Sequence, residues 1–72
     1  MDINPLFTLF TQYANYAMAK QPGSDVYLHV NRVGTGHVSI IYDGESLTPF
    51  SWNKYNEGLH QLRTQIAILK HS

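Results

Sequence analysis

The stretch HVNRVGTGH, residues 29–37, holds two of the four histidines and two of the five glycines in the chain. Two imidazoles eight residues apart are a candidate metal pair, and Gly34-Thr35-Gly36 is a candidate phosphate loop. Next to it, Ser39, His37 and Asp43 supply the residue types of a nucleophile, a base and an orienting acid. The remaining carboxylates are Asp2, Asp25, Glu45 and Glu57. Each of these chemistries needs convergence at one point, so the elements that carry the residues decide among them.

Val26, Leu28 and Val30 alternate with Tyr27, His29 and Asn31, and Val38, Ile40 and Tyr42 alternate with His37, Ser39 and Ile41. Alternation of period two predicts two half-buried strands. Gly34-Thr35-Gly36 between them predicts a hairpin turn. A strand pattern follows the glycines at once and there is no third glycine, whereas a dinucleotide loop must open a helix. The register that places Val33 opposite His37 also pairs Val30 with Ile40 and Leu28 with Tyr42, with all strong apolar residues on one face. It puts His29 opposite Ile41 and separates the two imidazoles by about 13 Å along the ladder. Zinc ligands must reach one ion at ~2.0–2.1 Å, so this register predicts no shared metal. His60 and His71, eleven residues apart in a helical pattern, are also too far apart.

The nucleophile set fares no better. Neighbouring positions on an open sheet predict neither a base–orienter geometry nor an oxyanion hole. Three carboxylates fall in turn-like segments, where acidic residues are common for solvation. We therefore expect no catalytic residue, no cofactor and no metal.

Helical periodicity brackets the strands. Asn4 is expected as the cap of a first helix over residues 5–20, with Pro5 at its first position. Leu6, Phe10, Ala14, Ala17 and Met18 give the buried rhythm, and Ile3, Phe7, Leu9, Tyr13 and Tyr16 widen the apolar arc to roughly 200°, twice what one contact needs. A third strand over 47–52 follows the turn residues Asp43 and Gly44, and Pro49 makes it an edge. A three-residue loop, Gly44 to Ser46, would pair Ile40 with Phe50 and Val38 with Trp52, burying both aromatics. Tyr55, Leu59, Leu62, Ile66 and Leu69 predict a last helix over 54–70 with Asn53 as its cap; Gly58 weakens its first turn. The fold class is α+β in the order α-β-β-β-α: a three-stranded antiparallel sheet with two helices packed on one face, one small domain over 1–72.

Composition bounds the function. A chain of 72 residues buries only ~60% of its unfolded surface, a narrow margin that small domains often widen by association. There is no cysteine, which excludes disulfides, thiolate metal sites and cysteine nucleophiles. Five basic residues balance five acidic ones, and charged residues are 14% of the chain. Nucleic-acid binders usually carry a basic surplus, so the balance counts against that class. The opening MDINPLFTLF lacks a basic leader region and its apolar run is broken, so neither a signal peptide nor a membrane span is read, and a cytoplasmic, complete short chain is expected.

Protein binding remains. The surplus apolar arc at Leu9, Tyr13 and Tyr16, and the open sheet face with Tyr27, His29 and Ile41, are the predicted interface, and a homodimer is the expected assembly. The expected function is non-catalytic: an accessory or inhibitor protein, of the size class found in phages and mobile elements, that occupies a partner's surface. The alternatives are a nucleic-acid-associated accessory protein, whose open face would stack bases on Tyr27 and the histidines, and a small homo-oligomeric domain without activity of its own or completed as an enzyme by assembly. The opposing reading of the first helix is that the two helices pack side by side and absorb the surplus.

Overall fold

A computed structural model describes residues 2–41 and 47–71. The order is α1 (Asn4–Lys20), β1 (Asp25–Val30), β2 (Gly36–Ile41), β3 (Phe50–Trp52) and α2 (Tyr55–Lys70). The strands form one antiparallel sheet in the order β1-β2-β3, and the helices pack against it and against each other. This is the α-β-β-β-α arrangement that the alternating and helical periods predict.

Leu6, Tyr13 and Ala17 of α1, Leu62 of α2, Val38 of β2 and Trp52 of β3 form the buried cluster. Val26, Leu28, Val30, Ile40 and Phe50 pack around it half-buried, so even-numbered strand positions face the helices. The rings of Tyr13 and Phe50 form a T-shaped pair with centroids 5.3 Å apart and planes at 87°.

The strand registers differ from those the loop lengths suggest. Leu28 pairs with Val38, Val30 with Gly36, and His29 with His37. The expected pairs Val33 with His37, Val30 with Ile40 and His29 with Ile41 do not form. The cause is Asn31. Its N–H donates to the Thr35 carbonyl at 3.0 Å, its carbonyl accepts from the Gly34 N–H at 3.1 Å, and its Oδ1 accepts from the Val33 N–H at 3.1 Å. An asparagine side chain that binds its own backbone two residues on ends the strand. The loop is therefore Asn31–Thr35, with Gly34 at φ +93°, and Gly36 belongs to β2.

The second register shifts as well. Val38 pairs with Phe50, and Gly36 with Trp52, in place of Ile40 with Phe50 and Val38 with Trp52. Both aromatics still face the helices, because the shift is two positions. A Cβ at Gly36 would clash first with the backbone carbonyl oxygen of His29 and would lie 2.9 Å from Cζ2 of Trp52, so glycine leaves room for both the β1 backbone and the indole. Trp52 Nε1–H donates to the Gly34 carbonyl at 2.7 Å, which binds the hairpin loop to β3.

Element ends also move. Regular β3 pairing begins at Phe50, not Leu47, after the imino acid Pro49. Ile3 is the residue before α1, and the Asn4 N–H is satisfied by Oδ1 of Asp2 at 3.0 Å. Lys54, not Asn53, precedes α2, while the Asn53 N–H donates to Oε2 of Glu57 at 3.2 Å. The expected pairing of Tyr42, the loop Gly44 to Ser46, and the carboxylates Asp43 and Glu45 lie outside the described residues.

Candidate interaction surface on the uncovered sheet face

Odd-numbered strand positions point away from the helices. The face they make carries Asp25, Tyr27 and His29 on β1, Ile41, Ser39 and His37 on β2, and Ser51 on β3. Tyr27 is 47% exposed and Ile41 is 61% exposed. These two and His29 stand where the strand alternation puts them.

The histidines differ from expectation. His29 and His37 are directly opposed, with ring centroids 4.4 Å apart and planes within 10° of parallel. The separation of about 13 Å required a loop four residues out of step; closing the hairpin at Asn31–Thr35 brings the rings into a stack. His29 Nε2 also lies 2.9 Å from Ser39 Oγ. The asparagine before the turn was the signal in the sequence that could have located this pair.

An open hollow of about 530 Å³ adjoins the stack, bordered by His37, Ser51 and Asn53 at its β3 side and by Thr35 at the loop. No lysine or arginine lines it. Thr35 Oγ1 donates to the Asn53 carbonyl at 2.8 Å and holds that rim together.

The Ser39–His29 contact has the length of a nucleophile–base pair. Among the described residues, no carboxylate hydrogen-bonds to either imidazole, and no group of three or more metal-ligating side chains converges. What the stack offers chemically is two adjacent imidazoles, a hydroxyl, and flanking aromatic and aliphatic area.

The first-helix residues divide. Tyr13 is 1% exposed and lies in the core, so it contributes nothing to an outer surface. Leu9 is half-buried against the same cluster. Only Tyr16, at 39% exposed, remains on the outside. The two helices pack against each other, and Phe7, Tyr16 and Met18 of the broad apolar arc stay exposed. Burial raises the Tyr13 hydroxyl above its ordinary value of 10.0 by desolvating the phenolate. Phe7, Met18 and Ile68 are exposed apolar positions on the helices outside the expected set.

Among the described residues, no helix is long and apolar enough to cross a membrane. Comparison with known proteins gives no matching family model, no matching curated protein and no matching solved structure.

Proposed function

We propose that this chain is a non-catalytic protein-binding domain that acts by occupying a partner protein's surface, as an accessory or inhibitor protein would. Its working surface is the outer edge of β1 with the uncovered face beside it.

The contrast between the two sheet edges carries this reading. β3 is an edge of three residues, and Pro49 precedes it without an N–H to offer. β1 is an edge of six residues, Asp25–Val30, with no proline, no lysine and a single charge at its first position. Sheet edges are usually blunted by shortness, proline or charge, because unpaired backbone groups recruit another strand. β3 has two of these protections and β1 has only Asp25. An unprotected edge next to exposed Tyr27 suits strand addition, in which backbone bonds give affinity and flanking side chains give selectivity.

A second copy of the chain fits this edge, which supports the homodimer. Two β1 strands can pair antiparallel about a two-fold axis with Tyr27 opposite its own copy. Val26 then faces the partner's Leu28, and Asp25 faces the partner's His29. No like charges oppose each other, and the apolar residues remain on the helix-covered side.

Light scattering across a concentration series tests the assembly. The expected mass is twice 8.2 kDa at the upper end, falling to 8.2 kDa in Tyr27→Lys, which sets two lysines against each other at the axis. A mass of 8.2 kDa at every concentration up to the solubility limit removes the homodimer. Affinity capture from the native host, with Tyr27→Lys as the comparison, tests the heterologous partner.

A further inference from the structure

We propose that His29 and His37 form a two-imidazole site for a divalent transition-metal ion of the zinc, nickel and copper class. The site lies on the uncovered face beside the β1 edge, and its argument does not rest on the proposed protein-binding function.

The pair is placed by the backbone. His29 and His37 occupy directly opposed positions of the β1–β2 ladder, and both side chains are exposed. Their rings are stacked with centroids 4.4 Å apart. Two nitrogens bound to one tetrahedral ion at ~2.0–2.1 Å each lie about 3.3 Å apart. The lone pairs of the stacked rings lie in nearly parallel planes, so ligation requires both rings to turn out of the stack by side-chain torsion until their nitrogens converge on one ion, a motion that leaves the strands in place.

The surroundings favour ligation. In the tautomer where His29 Nε2–H donates to Ser39 Oγ, at 2.9 Å, the lone pair resides on Nδ1. A hydrogen bond to the second ring nitrogen is the usual device that fixes the tautomer and orientation of a metal-binding histidine. Among the described residues, none hydrogen-bonds to either nitrogen of His37. The adjoining hollow of about 530 Å³ has no cation in its lining, so it leaves room for water or a partner's side chain at the remaining coordination positions. Neutral nitrogen donors without a carboxylate select borderline ions over magnesium and calcium, which require oxygen ligands.

Calorimetric titration of the full chain with zinc chloride and with nickel chloride tests the site, with magnesium chloride as the comparison. The expected result is one zinc or nickel ion per chain and no magnesium binding. His29→Gln and His37→Gln should each abolish saturable binding while leaving the far-ultraviolet circular dichroism unchanged, because both residues are exposed. The double variant His60→Gln/His71→Gln, which removes the two α2-side imidazoles, should bind as the unaltered chain does. Ser39→Ala should weaken binding by ~10-fold or more through loss of the orienting hydroxyl. Absence of saturable zinc or nickel binding overturns the proposal. So does binding of undiminished affinity in His29→Gln or His37→Gln.

Discussion

The indole of Trp52 occupies the space that a side chain at Gly58 would need: a Cβ at position 58 would lie 2.6 Å from Nε1 and 2.7 Å from Cε2. Glycine in the first turn of α2 costs helix stability, yet here it is what lets the helix settle onto β3. The contact lets the Nε1–H reach the Gly34 carbonyl at 2.7 Å, and so joins the hairpin loop, β3 and α2 at one buried side chain. Gly58→Ala gains up to about 1 kcal/mol of helix propensity and forces the rigid indole to move, which costs typically ~1–3 kcal/mol. We expect net destabilisation, read as a lower urea midpoint with an unchanged slope. A higher midpoint would show that the indole can shift freely.

Trp52→Phe isolates the hydrogen bond from the packing. The Gly34 carbonyl is left without its indole donor in a buried residue, at about 1–3 kcal/mol. The lost ring volume adds a cavity term. Hydrogen exchange should quicken across Asn31–Gly36 more than in α1, because the loop is bonded to Trp52 and α1 is not. Uniform acceleration throughout the chain would instead mean that Trp52 acts only through general packing.

These contacts explain what the sequence disclosed and what it hid. A period of two assigns each strand residue to a face whatever the register, so Tyr27, His29 and Ile41 were readable as open-face residues and Val38 and Trp52 as core. Register depends on where the hairpin closes. Asn31 continues the alternating pattern, and only its turn-forming side chain, whose Oδ1 accepts from the Val33 N–H, marks where the strand stops. Registers shifted by four and by two positions keep every face assignment and change every neighbour, which is why the facing of His29 was legible and its partner was not. Tyr13 failed differently. An apolar arc of roughly 200° says that a helix has two neighbours without saying which lie within the same chain. The ring of Phe50 packs against Tyr13 in a T-shaped pair, and that contact depends on tertiary placement alone.

Burial of Tyr13 gives stability a pH dependence with a definite sign. Its hydroxyl titrates above the ordinary value of 10.0 in the folded chain because the phenolate is desolvated. In the unfolded chain the group ionises first as pH rises, so above pH 10 the unfolded state holds fewer protons than the folded one. The contribution is fully present below that value and is lost as pH rises through the folded value. The thermal midpoint should fall above pH 10, and it should fall less steeply in Tyr13→Phe, which has no proton to lose at that position. Parallel curves for the two proteins would assign the alkaline loss to other groups.

Asn31→Ala separates the side-chain bond of Asn31 from the two backbone bonds that close the hairpin there. It removes the side-chain acceptor for the Val33 N–H, an exposed bond contributing on the order of 1 kcal/mol, while the backbone bonds of the loop can persist. The expected result is a modest loss of stability with the His29–His37 opposition retained, seen as preserved nuclear Overhauser contacts between the two rings. A switch to contacts between His29 and Ile41 would show that the asparagine side chain alone holds the hairpin in its present register.

The two surfaces proposed for association separate by single substitutions. Tyr16 is the exposed member of the three α1 residues in the predicted interface, since Tyr13 is buried and Leu9 half-buried. One aromatic ring on a helix flank is a poor centre for a stable interface, which usually places several aromatic or apolar anchors in contact. The β1 edge offers a run of backbone donors and acceptors over six residues, with Tyr27 beside them. Tyr16→Asp should therefore leave the concentration dependence of the mass unchanged, whereas Tyr27→Lys should shift it toward the monomer by an order of magnitude or more, about 1.4 kcal/mol per tenfold. If Tyr16→Asp produces the monomer and Tyr27→Lys does not, the self-association runs through α1 and the β1 edge is free for a different strand.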